Sequence, residues 1–295
     1  MNTYREAASL LPINLCGELL VMPERIQANA EELRVRAGRP VAVLSEGREY
    51  EVAPNYKICC DDLYSILEKA TFASFHSVEN ELAKGFITVG GGIRIGICGT
   101  AIYKSGKLSS IKNFSSMAIR IPHDIIGCSS EICEKINSHE LKSALIISPP
   151  GYGKTTFARD YIRNLSKKGF RVSVADERCE LCAVMDGVPQ YDIGPCTDVM
   201  NGVSKSDAVM MMLRSMTPHI IAMDEISEPE DVRAVSAASG CGIKLLATAH
   251  AAEIDDLRRR PVYRELLNMN IFDCAVIISK AENNCRLFRI EDLLK

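Results

Sequence analysis

Apolar and polar residues alternate from Glu31 to Val52 (LRVRAGRPVAVLSEGREYEV) around Gly38 and Gly47. A period of two broken by glycine predicts half-buried strands joined by turns. The pattern returns at Phe86–Val89 and Ile93–Cys98, separated by Gly90, Gly91 and Gly92. A strand follows that glycine run, not a helix, so it predicts a hairpin rather than a phosphate loop. At Asp61–Ala73 the period lengthens, placing Leu63, Ile66, Leu67 and Ala70 on one helical face. Leu10 to Leu20 is also amphipathic and is expected to pack in the core rather than dock on a membrane protein. These elements predict a small antiparallel α+β domain over residues 1–138.

Beyond a short helix at Ser130–Asn137 the pattern changes. Apolar runs at Ala144–Ile147, Arg171–Ala175, Ile220–Met223, Lys244–Ala247 and Ala275–Ser279 alternate with helical segments, and Arg286–Ile290 is expected at an edge. Continuous apolar strands flanked by helices predict a mostly parallel sheet covered on both faces, over residues 139–295. Ligands of such a sheet lie at the C-terminal ends of its strands.

A chain of 295 residues accommodates two domains. Its 35 basic and 38 acidic residues leave a net charge of −3, which argues against nonspecific nucleic-acid binding. The triplet Arg258, Arg259 and Arg260 reads as a solvated helix face. Twelve scattered cysteines, with one C-x-x-C at Cys179 and Cys182 and an adjacent pair at Cys59 and Cys60, read as reduced and mostly buried thiols. No apolar run approaches the roughly 20 residues of a membrane span, and the N-terminus lacks a cleavable signal pattern, so an intracellular protein is expected.

Chemistry concentrates at the strand ends. The run LIISPPGYGKTT takes an apolar strand into a tight loop and then a helix, whose apolar face carries Phe157, Ala158, Tyr161, Ile162 and Leu165. In such a loop backbone N–H groups face phosphate, Lys154 supplies a charge between β and γ oxygens, and the Thr155 hydroxyl completes a Mg²⁺ shell. The nucleotide-binding candidates are Ser148, Pro149, Pro150, Gly151, Tyr152, Gly153, Lys154, Thr155 and Thr156, with Ser148 standing where the usual pattern has its first glycine. Ile220–Met223 runs into Asp224 and Glu225, which suit Mg²⁺ and the attacking water respectively. A second acidic strand end, Asp176-Glu177-Arg178, brings Glu177 to the same edge if its strand is parallel and adjacent; acids after strands also cap the next helix. A third ends in Thr248-Ala249-His250, able to donate hydrogen bonds to a γ-phosphate.

In that order and spacing, SPPGYGKTT, ADERCE, IIAMDEI and ATAH resemble the P-loop, acidic box, Walker B and His box of the traffic ATPases of bacterial secretion systems. Within that superfamily, ELRVRAGRPV, GFITVGGGIRIGICGTA, GVPQYDIG, MMMLRSM, MDEI and ATAHA are similar to the stage III sporulation protein AA family, from about Glu32 to Ile290. The resemblance implies an α/β chain: a RecA-like P-loop ATPase domain behind a smaller N-terminal α+β domain, using ATP and Mg²⁺. It implies a homo-hexameric ring in the cytoplasm, at the inner face of the mother-cell membrane, working with membrane-protein components of a sporulation channel between mother cell and forespore. Arg94 in GGIRIG and Arg120 in MAIRIP correspond to N-terminal arginines that reach the phosphates, and loss of γ-phosphate would be passed through His250.

The chain departs from the family at DIGPCTD, where Cys196 replaces an arginine, and at Val203-Ser204-Lys205, where Cys-Pro-Lys is usual. These departures give weight to an alternative, a nucleotide-sensing assembly scaffold with little turnover. A DNA-dependent RecA-like ATPase is a further alternative, disfavoured by few aromatics and no tryptophan.

Overall fold

The alternating segments near the N-terminus become an antiparallel sheet in the computed structural model, which describes residues 3–71, 85–104, 106–122, 124–281 and 285–294. The chain divides into two units, Met1–His123 and Asp124–Lys295. In the first, strands β1 (Ala30–Arg36), β2 (Val41–Ser45), β3 (Arg48–Val52), β4 (Phe86–Val89), β5 (Ile93–Lys104) and β6 (Lys107–Arg120) lie in the order β3-β2-β1-β6-β5-β4. Every pairing is antiparallel. The glycine run joins β4 to β5 as a hairpin, with Gly91 left-handed at φ 71° where its missing Cβ spares a clash with Glu6.

Helices α1 (Thr3–Ser9), α2 (Ile13–Leu20), α3 (Glu24–Ala28) and α4 (Cys60–Ala70) accompany this sheet. Leu11, Leu15 and Leu19 join Leu63, Ile66 and Leu67 of α4 in one core with Leu33, Val43, Ile95 and Ile119. The Leu10–Leu20 segment thus packs inward, each buried leucine contributing roughly 1.5–3 kcal/mol. Helix α4 ends at Ala70, and the Phe72 and Ala73 end of the expected helix lies outside the described residues.

The second unit carries β7 (Ala144–Ser148), β8 (Val172–Asp176), β9 (Thr197–Asn201), β10 (Ile220–Glu225), β11 (Lys244–His250), β12 (Cys274–Lys280) and β13 (Arg286–Asp292), ordered β13-β12-β7-β11-β10-β8-β9. All neighbours are parallel except β13, which closes one edge antiparallel to β12. Leu145 and Ile147 enter the core on one face, Ala144 and Ile146 the core on the other. That two-sided burial is why these strands read as unbroken apolar runs. Helix α5 (Ser130–Ile136) buries Cys133 and Ile136 with Phe157 and Tyr161 of α6 (Lys154–Lys167). Asp160 of α6 accepts the N–H groups of Gly127 (2.9 Å) and Ser129 (2.7 Å), so this connection belongs to the second unit and the division falls upstream of residue 138.

The remaining helices are α7 (Lys205–Ser215), α8 (Pro229–Gly240), α9 (Ile254–Arg258) and α10 (Pro261–Asn268). Two expectations are corrected here. The arginine triplet is a helix break, not a helix face: Arg258 ends α9, Arg259 caps it and Arg260 precedes α10. Nor are the thiols mostly buried, since Cys133, Cys182 and Cys274 are buried while Cys59, Cys60, Cys98, Cys241 and Cys285 are exposed. Among the described residues no helix is long and apolar enough to cross a membrane.

Candidate active site

Register aligns the strand ends that carry the chemistry. Ser148 at the end of β7 lies opposite His250 of β11, and Thr248 of β11 lies opposite Glu225 of β10. The chain leaves β7 through Pro149 and Pro150, then turns at Gly151 and Gly153, left-handed at φ 77° and 88°. Both positions need glycine, the second also because an added Cβ would strike the Arg286 guanidinium at 2.8 Å. Ser148 needs none: it is a fully buried strand residue, and its hydroxyl bonds the Pro149 carbonyl at 3.0 Å. Tyr152 is covered by the Lys280 ammonium, 4.8 Å from its ring centre. Helix α6 begins at Lys154, so Lys154, Thr155 and Thr156 occupy the first turn, whose N–H groups have no acceptor within the helix.

Lys154 is 5% exposed and its ammonium donates to the Thr248 hydroxyl (2.7 Å) and to Asp224 (3.3 Å). The Thr248 hydroxyl in turn donates to the same Asp224 oxygen at 2.8 Å. Burial pushes the Asp224 carboxyl up, but the Lys154 charge and the hydrogen bonds from Thr248 and Lys154 outweigh it and hold the group below the ordinary carboxylate range. Thr248 is therefore committed to this triad and fully buried. Glu225 and His250 face the opening beside it. Their side chains are 37% and 38% exposed, with His250 Nε2 3.7 Å from Glu225 Oε2. The other ring nitrogen, Nδ1, is buried without a hydrogen-bond partner among the described residues.

Strand β8 is parallel and adjacent to β10, as Glu177 at this edge requires. The last residue of β8, Asp176, spends its carboxylate on the chain itself. Oδ1 accepts from the backbone of Glu180 (2.9 Å) and Leu181 (3.1 Å), and Oδ2 from Cys182 (2.8 Å). Burial pushes its carboxyl up, only partly offset by those three donors. Arg159 of α6 seizes the same loop by its carbonyls, donating to Leu181 (2.6 Å) and Glu180 (2.9 Å) while its guanidinium lies 3.5 Å from the Tyr191 ring centre.

These groups converge on a cavity of about 300 Å³ lined by Lys154, Thr155, Asp176, Glu177, Arg178, Glu180, Lys205, Asp224, Glu225, Ser227 and His250. The structure thus brings together Lys154, Thr155, Asp224, Glu225, Glu177 and His250 of the candidates. Arg94 and Arg120 belong to the first unit. They are cross-strand partners in β5 and β6; Arg94 lies 3.6 Å over the Phe86 ring and Arg120 donates to Glu32 at 3.0 Å. Sequence reasoning missed Lys205 and Arg159, whose partners are distant in the chain. Cys196 leads into β9, its N–H held by Ser166 at 2.7 Å.

A nucleotide with Mg²⁺ fits the residues present. The cavity adjoins a helix N-terminus preceded by a left-handed glycine loop, and presents a lysine, a hydroxyl at Thr155 and a carboxylate at Asp224 whose acidity is raised by Lys154 and Thr248. Mg²⁺ takes such sparse protein donors because substrate phosphates and water fill its remaining positions. Parallel strand order, glycine loop and acidic strand ends define the class of fold: a RecA-like P-loop α/β domain that follows a smaller α+β domain in the chain. Solved structures with this fold include the Legionella pneumophila ATPase DotB (TM-score 0.59, 16% identity, 91% of this chain and 78% of that one). The pilus retraction motor PilT, solved with bound ADP, is similar too (TM-score 0.62, 17% identity, 91% and 80%). In sequence, residues 9–293 match the family described as Sporulation stage III, protein AA, and the chain belongs to that family. Stage III sporulation protein AA of Bacillus subtilis is 32% identical over 292 residues, spanning 97% of this chain and 94% of that protein. The uncharacterized protein ycf45 of Cyanidium caldarium is 28% identical over 188 residues, 60% of this chain and 55% of that one.

Proposed function

We propose that the chain is an ATP-hydrolysing motor, and the observation that carries this reading is the Lys154–Thr248–Asp224 triad, whose lysine opens the helix directly after the glycine loop. Lys154 exchanges Asp224 for the β and γ oxygens of ATP, and Asp224 with Thr155 then holds Mg²⁺. Held by those two residues, the metal would supply charge neutralisation at the phosphate oxygens. Glu225, half exposed beside the triad, takes a proton from the attacking water. His250, 3.7 Å from Glu225, responds to loss of the γ-phosphate.

The motor works as a homo-hexamer at the cytoplasmic face of a membrane, with membrane-protein components of a sporulation channel as partners. Family membership supports this assignment. Glu225→Gln tests the chemistry: it keeps ATP binding, traps ATP, and lowers phosphate release by about 10²- to 10⁴-fold. Phosphate release equal to wild type would sink the reading.

A further inference from the structure

Lys205 is the first residue of α7, a position from which a lysine ordinarily runs its ammonium out to water. Here the side chain turns inward and is 11% exposed. Its ammonium lies 3.4 Å from Ser227 Oγ, 3.6 Å from Asp231 Oδ2 and 3.8 Å from Glu177 Oε2. A committed charge-assisted hydrogen bond of this type measures about 2.7–2.9 Å, so none of the three holds it tightly. Asp231 has a prior engagement, since the same oxygen accepts the N–H groups of Ser227 (3.1 Å) and Glu228 (3.2 Å) at the start of α8. The result is a desolvated cation with three donors and loose acceptors, on the wall of the cavity that also contains Lys154, Thr155 and Asp224.

A triphosphate carries more negative charge than Lys154 and one divalent ion neutralise. The cavity otherwise presents mostly carboxylates: Asp176, Glu177, Glu180, Asp224 and Glu225 against Lys154, Arg178 and Lys205. Of the two mostly buried lysines on this wall, Lys205 is the more loosely held, with its carboxylate oxygens at 3.6 and 3.8 Å against 3.3 Å between Lys154 and Asp224.

We propose that Lys205 binds the terminal phosphate of ATP and distinguishes ATP from ADP, with Glu177 holding its ammonium when that phosphate is gone. The proposal rests on the nucleotide reading above and assigns Glu177 a different part, partner to Lys205 rather than to water. Because Ser227 and Asp231 also touch Lys205, its movement toward phosphate reaches the turn between β10 and α8 directly.

The test is isothermal titration of the full chain with ATPγS and with ADP, each with Mg²⁺. Lys205→Met is expected to weaken ATPγS by roughly 10- to 100-fold, the worth of a hydrogen bond to a charged group, and to leave ADP within about twofold. Lys205→Arg should recover part of the loss. Glu177→Gln, which loosens the competing partner, should shift the ratio the other way and tighten ATPγS relative to ADP. ADP affinity doubles as a check that each variant is folded. An ATPγS-to-ADP ratio unchanged in Lys205→Met, or in Glu177→Gln should the methionine variant not fold, would overturn the role of Lys205 alone. Failure of the wild type to bind either nucleotide, or undiminished binding by Lys154→Ala, would overturn the nucleotide reading and this proposal with it.

Discussion

Asp176 and Asp224 occupy corresponding places, one residue beyond the cross-strand pair Ala175 and Met223 on the neighbouring parallel strands β8 and β10. Each ends an apolar run and each is followed by glutamate. Their surroundings send them to opposite tasks. Asp224 meets the Lys154 ammonium and the Thr248 hydroxyl, which keep it charged and able to exchange partners. Asp176 meets three backbone N–H groups of the adjoining loop, which fix the loop and use up its oxygens. An acid at a strand end is therefore a tool or a strut according to whether its partner can leave.

Removing the departing partner gives the largest effect. Lys154→Ala leaves the β10 end as a carboxylate without its cation, and nucleotide binding should weaken by about 100-fold or more, measured by titration with ADP and Mg²⁺. Altering the strut has a different signature. Asp176→Asn keeps one oxygen for Glu180 and Leu181 but turns an amino group toward the Cys182 N–H, which should cost about 1–3 kcal/mol in denaturant unfolding.

The smallest effect is in pH dependence, and its sign separates the two acids. The Asp176 carboxyl is raised by burial, so the folded state binds its proton more tightly than the unfolded state does. Its contribution is greatest in acid and declines as pH rises through the raised value, so the stability gap between wild type and Asp176→Asn should narrow upward from acid. The Asp224 carboxyl is lowered, so its contribution is present above the unfolded value and is lost as pH falls through the folded one. Unfolding free energies of wild type and the two asparagine variants across the acid range read both slopes.

The apolar runs that become β7, β8, β10, β11 and β12 were legible because two-sided burial leaves no room for alternation. The glycine loop and both acidic ends were legible because their chemistry is local in sequence. Strand β9, Thr197–Asn201 (TDVMN), escaped because an edge strand is only partly buried and needs few apolar residues. Strand β6 escaped for a related reason, its run of serines and asparagine masking a long partner of β1 and β5. The second acidic strand end was open in the sequence between Glu177 chemistry and capping of the next helix; β9 rather than a helix follows β8, and Asp176 instead holds the adjoining loop. Lys205 was named in the sequence but its place in the cavity was not legible, because strand order β7-β11-β10-β8 is what brings residues 154, 177, 205 and 227 together, and Arg159 was hidden because the carbonyls it holds lie 21 and 22 residues on.

The measurement that tests this account most directly is Mg²⁺-dependent phosphate release by Asp224→Asn and Asp176→Asn, each normalised to folded protein. The account predicts that Asp224→Asn loses about 10³-fold or more while Asp176→Asn stays within about tenfold of wild type. Equal losses in the two variants, or undiminished release by Asp224→Asn, would contradict it.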